Sequence, residues 1–153
     1  MIQSVYGNQV EFGDEIGPLI KAPTTEDVQA FLSAWMTRDA SDTSVAGRFT
    51  DAQAASREGL AGPIIPGNMT QAFLGQLLMD WASPLGRLRS LDVNFRRPAM
   101  HGQELKCMGL VTDTREEGDF TVVKLDVYAE AANGDRPVQG TAEVVLPTAP
   151  PVG

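Results

Sequence analysis

The stretch GLAGPIIPGNMTQAFLGQLLMDW, Gly59 to Trp81, constrains this chain more than any other. Its second part places Met69, Ala72, Phe73, Leu74, Leu77, Leu78, Met79 and Trp81 around a helix from Gly67 to Trp81, leaving it almost no polar side. Such a helix needs cover over most of its circumference. Downstream, the hydrophobic period changes from 3.6 to 2. Leu91, Val93 and Phe95 alternate with Asp92, Asn94 and Arg96, and Val123, Leu125, Val127 and Ala129 alternate with mostly polar neighbours. Val138, Gly140, Ala142, Val144 and Leu146 form a further inward set, and LKCMGLVTDT is a less regular strand. EEGD and ANGDRP read as hairpin turns. Helices followed by antiparallel strands with one dry face define an α+β domain, its curved sheet wrapped around the apolar helix.

Upstream, VEFGDEIGPLIKAP reads as two short extended pieces broken at Gly13 and Gly17. TTEDVQAFLSAWM is a helix capped by Thr24 or Thr25, with Glu26 and Asp27 at its positive end and Val28, Phe31, Leu32 and Trp35 in one stripe. Thr37 to Asp51 is polar and turn-rich and reads as a loop, with a short helix expected over Ala52 to Glu58 and Asp51 available to cap it. A single domain over residues 1–147 and a frayed Pro-rich tail over 148–153 are expected.

The 153 residues suffice for one core, and no apolar run approaches a membrane span. The N-terminus has no basic leader followed by an apolar block, and the lone Cys107 can form neither an internal disulfide nor a metal cluster, so a cytoplasmic protein without metal or cofactor is expected. The net charge of -8 opposes general affinity for nucleic acid. Within it, Arg87, Arg89, Arg96, Arg97 and Lys106 against Asp92 and Glu104 leave the segment from Arg87 to Lys106 at +3. That segment is either a solvated strand face or an anchor for phosphates on a small anionic ligand.

GPIIPG, Gly62 to Gly67, delivers the chain into the apolar helix. Backbone N–H groups at a helix start have no partner within the helix, and the dipole there is positive. Gly67 has no side chain, so a ligand oxygen can approach its N–H, as oxyanion stabilisation requires; a tight turn in which glycine serves only to fit explains the same residues.

VEFGDEIGPL, GLAGPIIPGNM, LDVNFRRPAMHGQEL and GTAEVVLP, in that order, resemble the MaoC-like hydratase/dehydratase family, related to the (R)-specific enoyl-CoA hydratases. The resemblance implies a hot-dog fold, usually paired as dimers, and activity on acyl thioesters of coenzyme A or acyl carrier protein. Water is added across, or removed from, the α,β double bond, with the thioester carbonyl held at the start of the central helix. By resemblance the Gly67 N–H is that contact, with Ile65 and Pro66 in the same turn and Arg96 and Arg97 reaching ligand phosphates.

Active members carry Asp-x-Asn-Pro-hydrophobe-His, then x-Asp, with Ala and Gly following at intervals of four. Asp51, Ala55 and Gly59 keep the latter spacing. Counting back from Asp51, the His position holds Phe49, the Asn-Pro pair becomes Ala46 and Gly47, and the Asp position holds Ser44, while a longer loop allows Asp39 or Asp42 to take the Asp position. The only histidine, His101, falls in a turn between strands and is expected to be exposed. Phe49 cannot titrate, so the usual dyad is absent from this chain. Cys107 has no histidine within reach, and Gln76 and Asp80 either line a tunnel or face a dimer seam.

Three functions follow from these residues. One is a thioester-binding protomer, in a homodimer or a heterodimer with a second hot-dog chain, inactive alone or completed by that partner. Another is a dehydratase using Asp39 or Asp42, or a thioesterase using Asp39, Asp42 or Asp51 as base, and the third is a purely structural or interaction subunit.

Overall fold

The computed structural model describes residues 4–35 and 43–152. The chain forms β1 (Glu15–Lys21), α1 (Thr25–Trp35), α2 (Thr43–Thr50), α3 (Ala52–Arg57), α4 (Gly67–Ala82), β2 (Arg87–Phe95), β3 (Leu105–Glu117), β4 (Phe120–Ala131) and β5 (Val138–Pro147). All strand pairs are antiparallel, in the order β1-β3-β4-β5-β2, so β1 and β2 are the edges.

The strands follow much of the alternation that the sequence predicts, but Val122 is buried beside Val123 and Phe95 of the apolar set in β2 is exposed. Val123, Leu125, Val127 and Ala129 of β4 and Val138, Ala142, Val144 and Leu146 of β5 are buried. In β3 the alternation lapses, with Cys107, Met108 and Gly109 buried in succession and the register shifting between Val111 and Asp113. At Gly17 of β1, φ is +106° and the pairing with β3 also shifts. A Cβ there would sit 2.7 Å from the Cys107 carbonyl oxygen, so only glycine permits this close approach of two strands. Gly118 and Gly134 adopt positive φ in the two expected hairpin turns.

Leu74, Leu77, Leu78 and Ala82 of α4 pack into the core formed by the sheet. Cover is incomplete, however. Asn68, Ala72, Gln76, Met79 and Asp80 form an exposed stripe at helical spacing, so the sheet wraps three sides of the helix rather than all of them. Gln76 and Asp80 therefore lie on the surface of the protomer instead of lining an internal tunnel.

The segment read as a loop before Asp51 is helical from Thr43 to Thr50. Tertiary contacts hold it where propensity does not. Phe49 is buried in the core, and the Arg48 carbonyl accepts a hydrogen bond from the Ile64 N–H at 3.0 Å. The capping expectations hold: the Thr24 hydroxyl accepts from the Asp27 N–H, and the Asp51 carboxylate accepts from the Gln53 N–H at 2.9 Å. Thr148 is tied down rather than frayed. Its N–H donates to Asp119, its carbonyl accepts from Asn8, and its hydroxyl meets that of Thr121. No helix among the described residues is long and apolar enough to cross a membrane.

Candidate functional site

The segment entering α4 is fixed from both sides. The Ile64 N–H donates to Arg48 at the end of α2, and the Ile65 N–H donates to Ala99 at 2.7 Å, in the connection between β2 and β3. Successive N–H groups of an extended chain point opposite ways, so the entrance strand runs between these two segments. Ile65 and Pro66 are buried, and an isolated bridge joins Ile64 to Met100.

His101 belongs to this scaffold. One ring nitrogen lies 3.0 Å from the Thr25 hydroxyl and the other 3.2 Å from the Ile64 carbonyl oxygen. It is half-buried with both nitrogens engaged, not the exposed turn residue that its sequence position implies. A histidine so committed braces the entrance strand.

Pro66 occupies the cap position of α4 and offers no side-chain acceptor. The Met69 and Thr70 N–H groups fold back to the Pro66 carbonyl, and the Thr70 hydroxyl donates to the Gly67 carbonyl at 2.8 Å. The Gly67 N–H has no protein acceptor among the described residues. The positive end of a 16-residue helix is therefore left uncapped. Gly67 also has a packing reason to be glycine: a Cβ there would sit 2.9 Å from the Phe95 ring. Phe95, at the end of β2, is half-exposed and lies against this turn.

A surface cavity of about 350 Å³ opens here, lined by Ile65, Gly67, Phe95, Arg96 and Arg97 from one side and by Arg48 and Glu58 from the other. Four of the five binding residues expected from sequence, Gly67, Ile65, Arg96 and Arg97, thus share one pocket. The fifth, Pro66, does not line it; it is buried at the helix cap. The basic segment divides. Arg89 pairs with Glu117 and Glu143 in a network that includes Arg115, a solvated strand face, whereas Arg96 and Arg97 have no ion-pair partner among the described residues. Lys106 does not reach the pocket.

Phe49 does not face this cavity. It is buried in the core with the Arg48 guanidinium 5.0 Å over its ring, so the pocket receives Arg48 from α2. Ser44 lies in α2, and its side chain is not described; Asp39 and Asp42 lie outside the described residues. The carboxylate that does line the pocket, Glu58, was not singled out by sequence, and neither was Arg48. Their ion pair, at 3.6 Å, joins the end of α2 to the residue following α3. Only the tertiary packing of α2 against α3 brings the two together. Cys107 is fully buried, and burial pushes its thiol up to about 11, with Lys21 opposing weakly, so it is no nucleophile near neutral pH.

The architecture is the hot-dog fold, a curved antiparallel sheet around a long central helix. The MaoC-like dehydratase from Rhodospirillum rubrum superposes with a TM-score of 0.77 at 19% identity, over 96% of this chain and 99% of that one. The (R)-hydratase from A. caviae involved in PHA biosynthesis gives 0.73 at 23% identity, over 90% and 98%. A chain of the ChsH1-ChsH2 complex from Mycobacterium tuberculosis gives 0.71 at 18%, over 89% and 98%. No family profile matches the sequence, and no curated protein matches it. The fold is that of MaoC-like dehydratases and (R)-hydratases.

Proposed function

We propose that this chain binds an acyl thioester, of coenzyme A or of acyl carrier protein, in the cavity at the start of α4. The thioester carbonyl accepts a hydrogen bond from the Gly67 N–H, and Arg96 and Arg97 meet ligand phosphates. The observation that carries this reading is that one pocket holds the Gly67 N–H and two arginines, none of which has a partner among the described residues.

The chain does not hydrate the thioester alone. Hydration needs one group to activate water and another to exchange the second proton. Phe49 is apolar and packed into the core, and the sole histidine is engaged at Thr25 and Ile64. A second hot-dog protomer supplies the missing pair, in a dimer to which this chain contributes the exposed α4 stripe and the β2 edge. The similarity to a chain of a two-component complex supports such an arrangement.

A second reading has one observation in its favour: Glu58 places a carboxylate in the same pocket, so a dehydratase or thioesterase using a non-standard carboxylate has a candidate base. Incubation with a short trans-2-enoyl-CoA separates the two. Binding without loss of the double bond, and without release of free thiol, supports the binding protomer; turnover abolished by Glu58→Gln supports the second reading. Binding is expected to weaken in Gly67→Pro, which removes the N–H.

A further inference from the structure

Resting on the acyl-thioester reading of the pocket, we propose that Arg48 selects acyl groups that carry a carboxylate of their own. The cavity holds more positive charge than phosphate contacts at one end explain, because among the described residues that line it Arg48, Arg96 and Arg97 face one carboxylate, Glu58. These cations come from opposite sides of the entrance strand. Arg96 and Arg97 belong to the connection that receives the Ile65 N–H, and Arg48 to the helix that receives the Ile64 N–H. A thioester whose carbonyl sits at Gly67 has two arms, one leading to the phosphates and one ending in the acyl terminus. If the phosphates lie with Arg96 and Arg97, the acyl terminus meets Arg48.

The state of Arg48 suits this role. Its guanidinium lies over the Phe49 ring, 5.0 Å from the ring centre, which holds it at the pocket. Its pair with Glu58 is 3.6 Å long, beyond hydrogen-bonding distance, and both side chains are about half exposed, 50% and 52%. The pair leaves its donors available for a better-placed carboxylate. Phe49 and Arg48 then form one device: the ring that fills the core in place of a proton-transfer group also supports the cation that reads the ligand.

The test compares succinyl-CoA with butyryl-CoA by titration calorimetry, since the two differ only by a terminal carboxylate in place of a methyl. Wild type is expected to bind succinyl-CoA at least about tenfold more tightly, the size of a charge-assisted contact. Arg48→Met should bring succinyl-CoA down to the butyryl-CoA value and leave butyryl-CoA unchanged. Glu58→Gln, which removes the competing carboxylate, should strengthen succinyl-CoA alone. Thermal melts of both variants confirm folding. Equal binding of the two thioesters by wild type overturns this proposal and leaves the thioester reading standing. An equal loss of both in Arg48→Met also overturns it, because Arg48 then serves the part of the ligand that they share. Failure of wild type to bind either removes the thioester reading and this proposal with it.

Discussion

The two walls of the pocket differ in how they are held and in what they offer. The wall formed by the entrance strand, Gly67 and the end of β2 is fixed by backbone hydrogen bonds to Arg48 and Ala99 and by the His101 bridge, and it presents an N–H and two arginines without a partner among the described residues. The wall formed by α2 and the end of α3 is held by the buried Phe49 and Ala55 and by the Arg48 carbonyl, and presents a loosely paired Arg48 and Glu58. One wall keeps what is needed to hold a polarised carbonyl. The other presents packing and charge, a buried ring and a loose ion pair. On the proposed reading, thioester binding therefore rests on the first wall.

The largest expected effect breaks the second wall. Phe49→Ala should cost about 3 kcal/mol of stability in a denaturant titration, as loss of a buried aromatic ring leaves a cavity, while Arg96→Met does not. Phe49→His should destabilise by about 2 kcal/mol and create no hydratase, because the imidazole enters the core rather than the pocket. Hydration gained by this variant would show that α2 can turn position 49 towards the ligand.

The next effect concerns the core beneath both walls. The buried Cys107 thiol is raised from 9.0 to about 11 in the folded chain. Between those values the unfolded chain has released its proton and the folded chain has kept it. Stability should therefore fall as pH rises from about 9 to 11, by about 2 kcal/mol, and Cys107→Ala should lack this part of the slope. The native thiol should also resist modification at pH 8.

A smaller effect tests the first wall. Gly67→Ala should lose about 1 kcal/mol against the Phe95 ring, recovered when Phe95→Ala is added, whereas thioester binding should stay weak in both because the methyl group stands beside the N–H. Recovery of binding together with stability would mean that the ring, and not the N–H, controls the site. The smallest effect is at Arg96 and Arg97. Replacing each by Met should change stability by less than about 0.5 kcal/mol but weaken a coenzyme A thioester severalfold, more at low salt than at high salt.

The same contrast explains what could be read in the sequence. The strands and α4 announce themselves because burial on one face imposes a strict period, and GPIIPG marks the entrance through its glycines and prolines. The α2 helix does not, since Thr43, Ser44, Gly47 and Thr50 dilute its pattern and its order comes from Phe49 and Ile64. Arg48 and Glu58 were hidden for that reason. The open stripe of α4 was hidden for another: Ala72 and Met79 are apolar and look buried, and only the curvature of the sheet decides which of them it reaches. His101 misled because its partners, Thr25 and Ile64, are 76 and 37 residues away.

The most direct test of the central claim is to mix the purified chain with a short trans-2-enoyl-CoA and follow binding and the double bond together. Saturable binding with the double bond intact is the result expected of a protomer that holds the thioester at Gly67 and has no hydrating pair. Turnover by the chain alone would contradict it, and so would the absence of any binding.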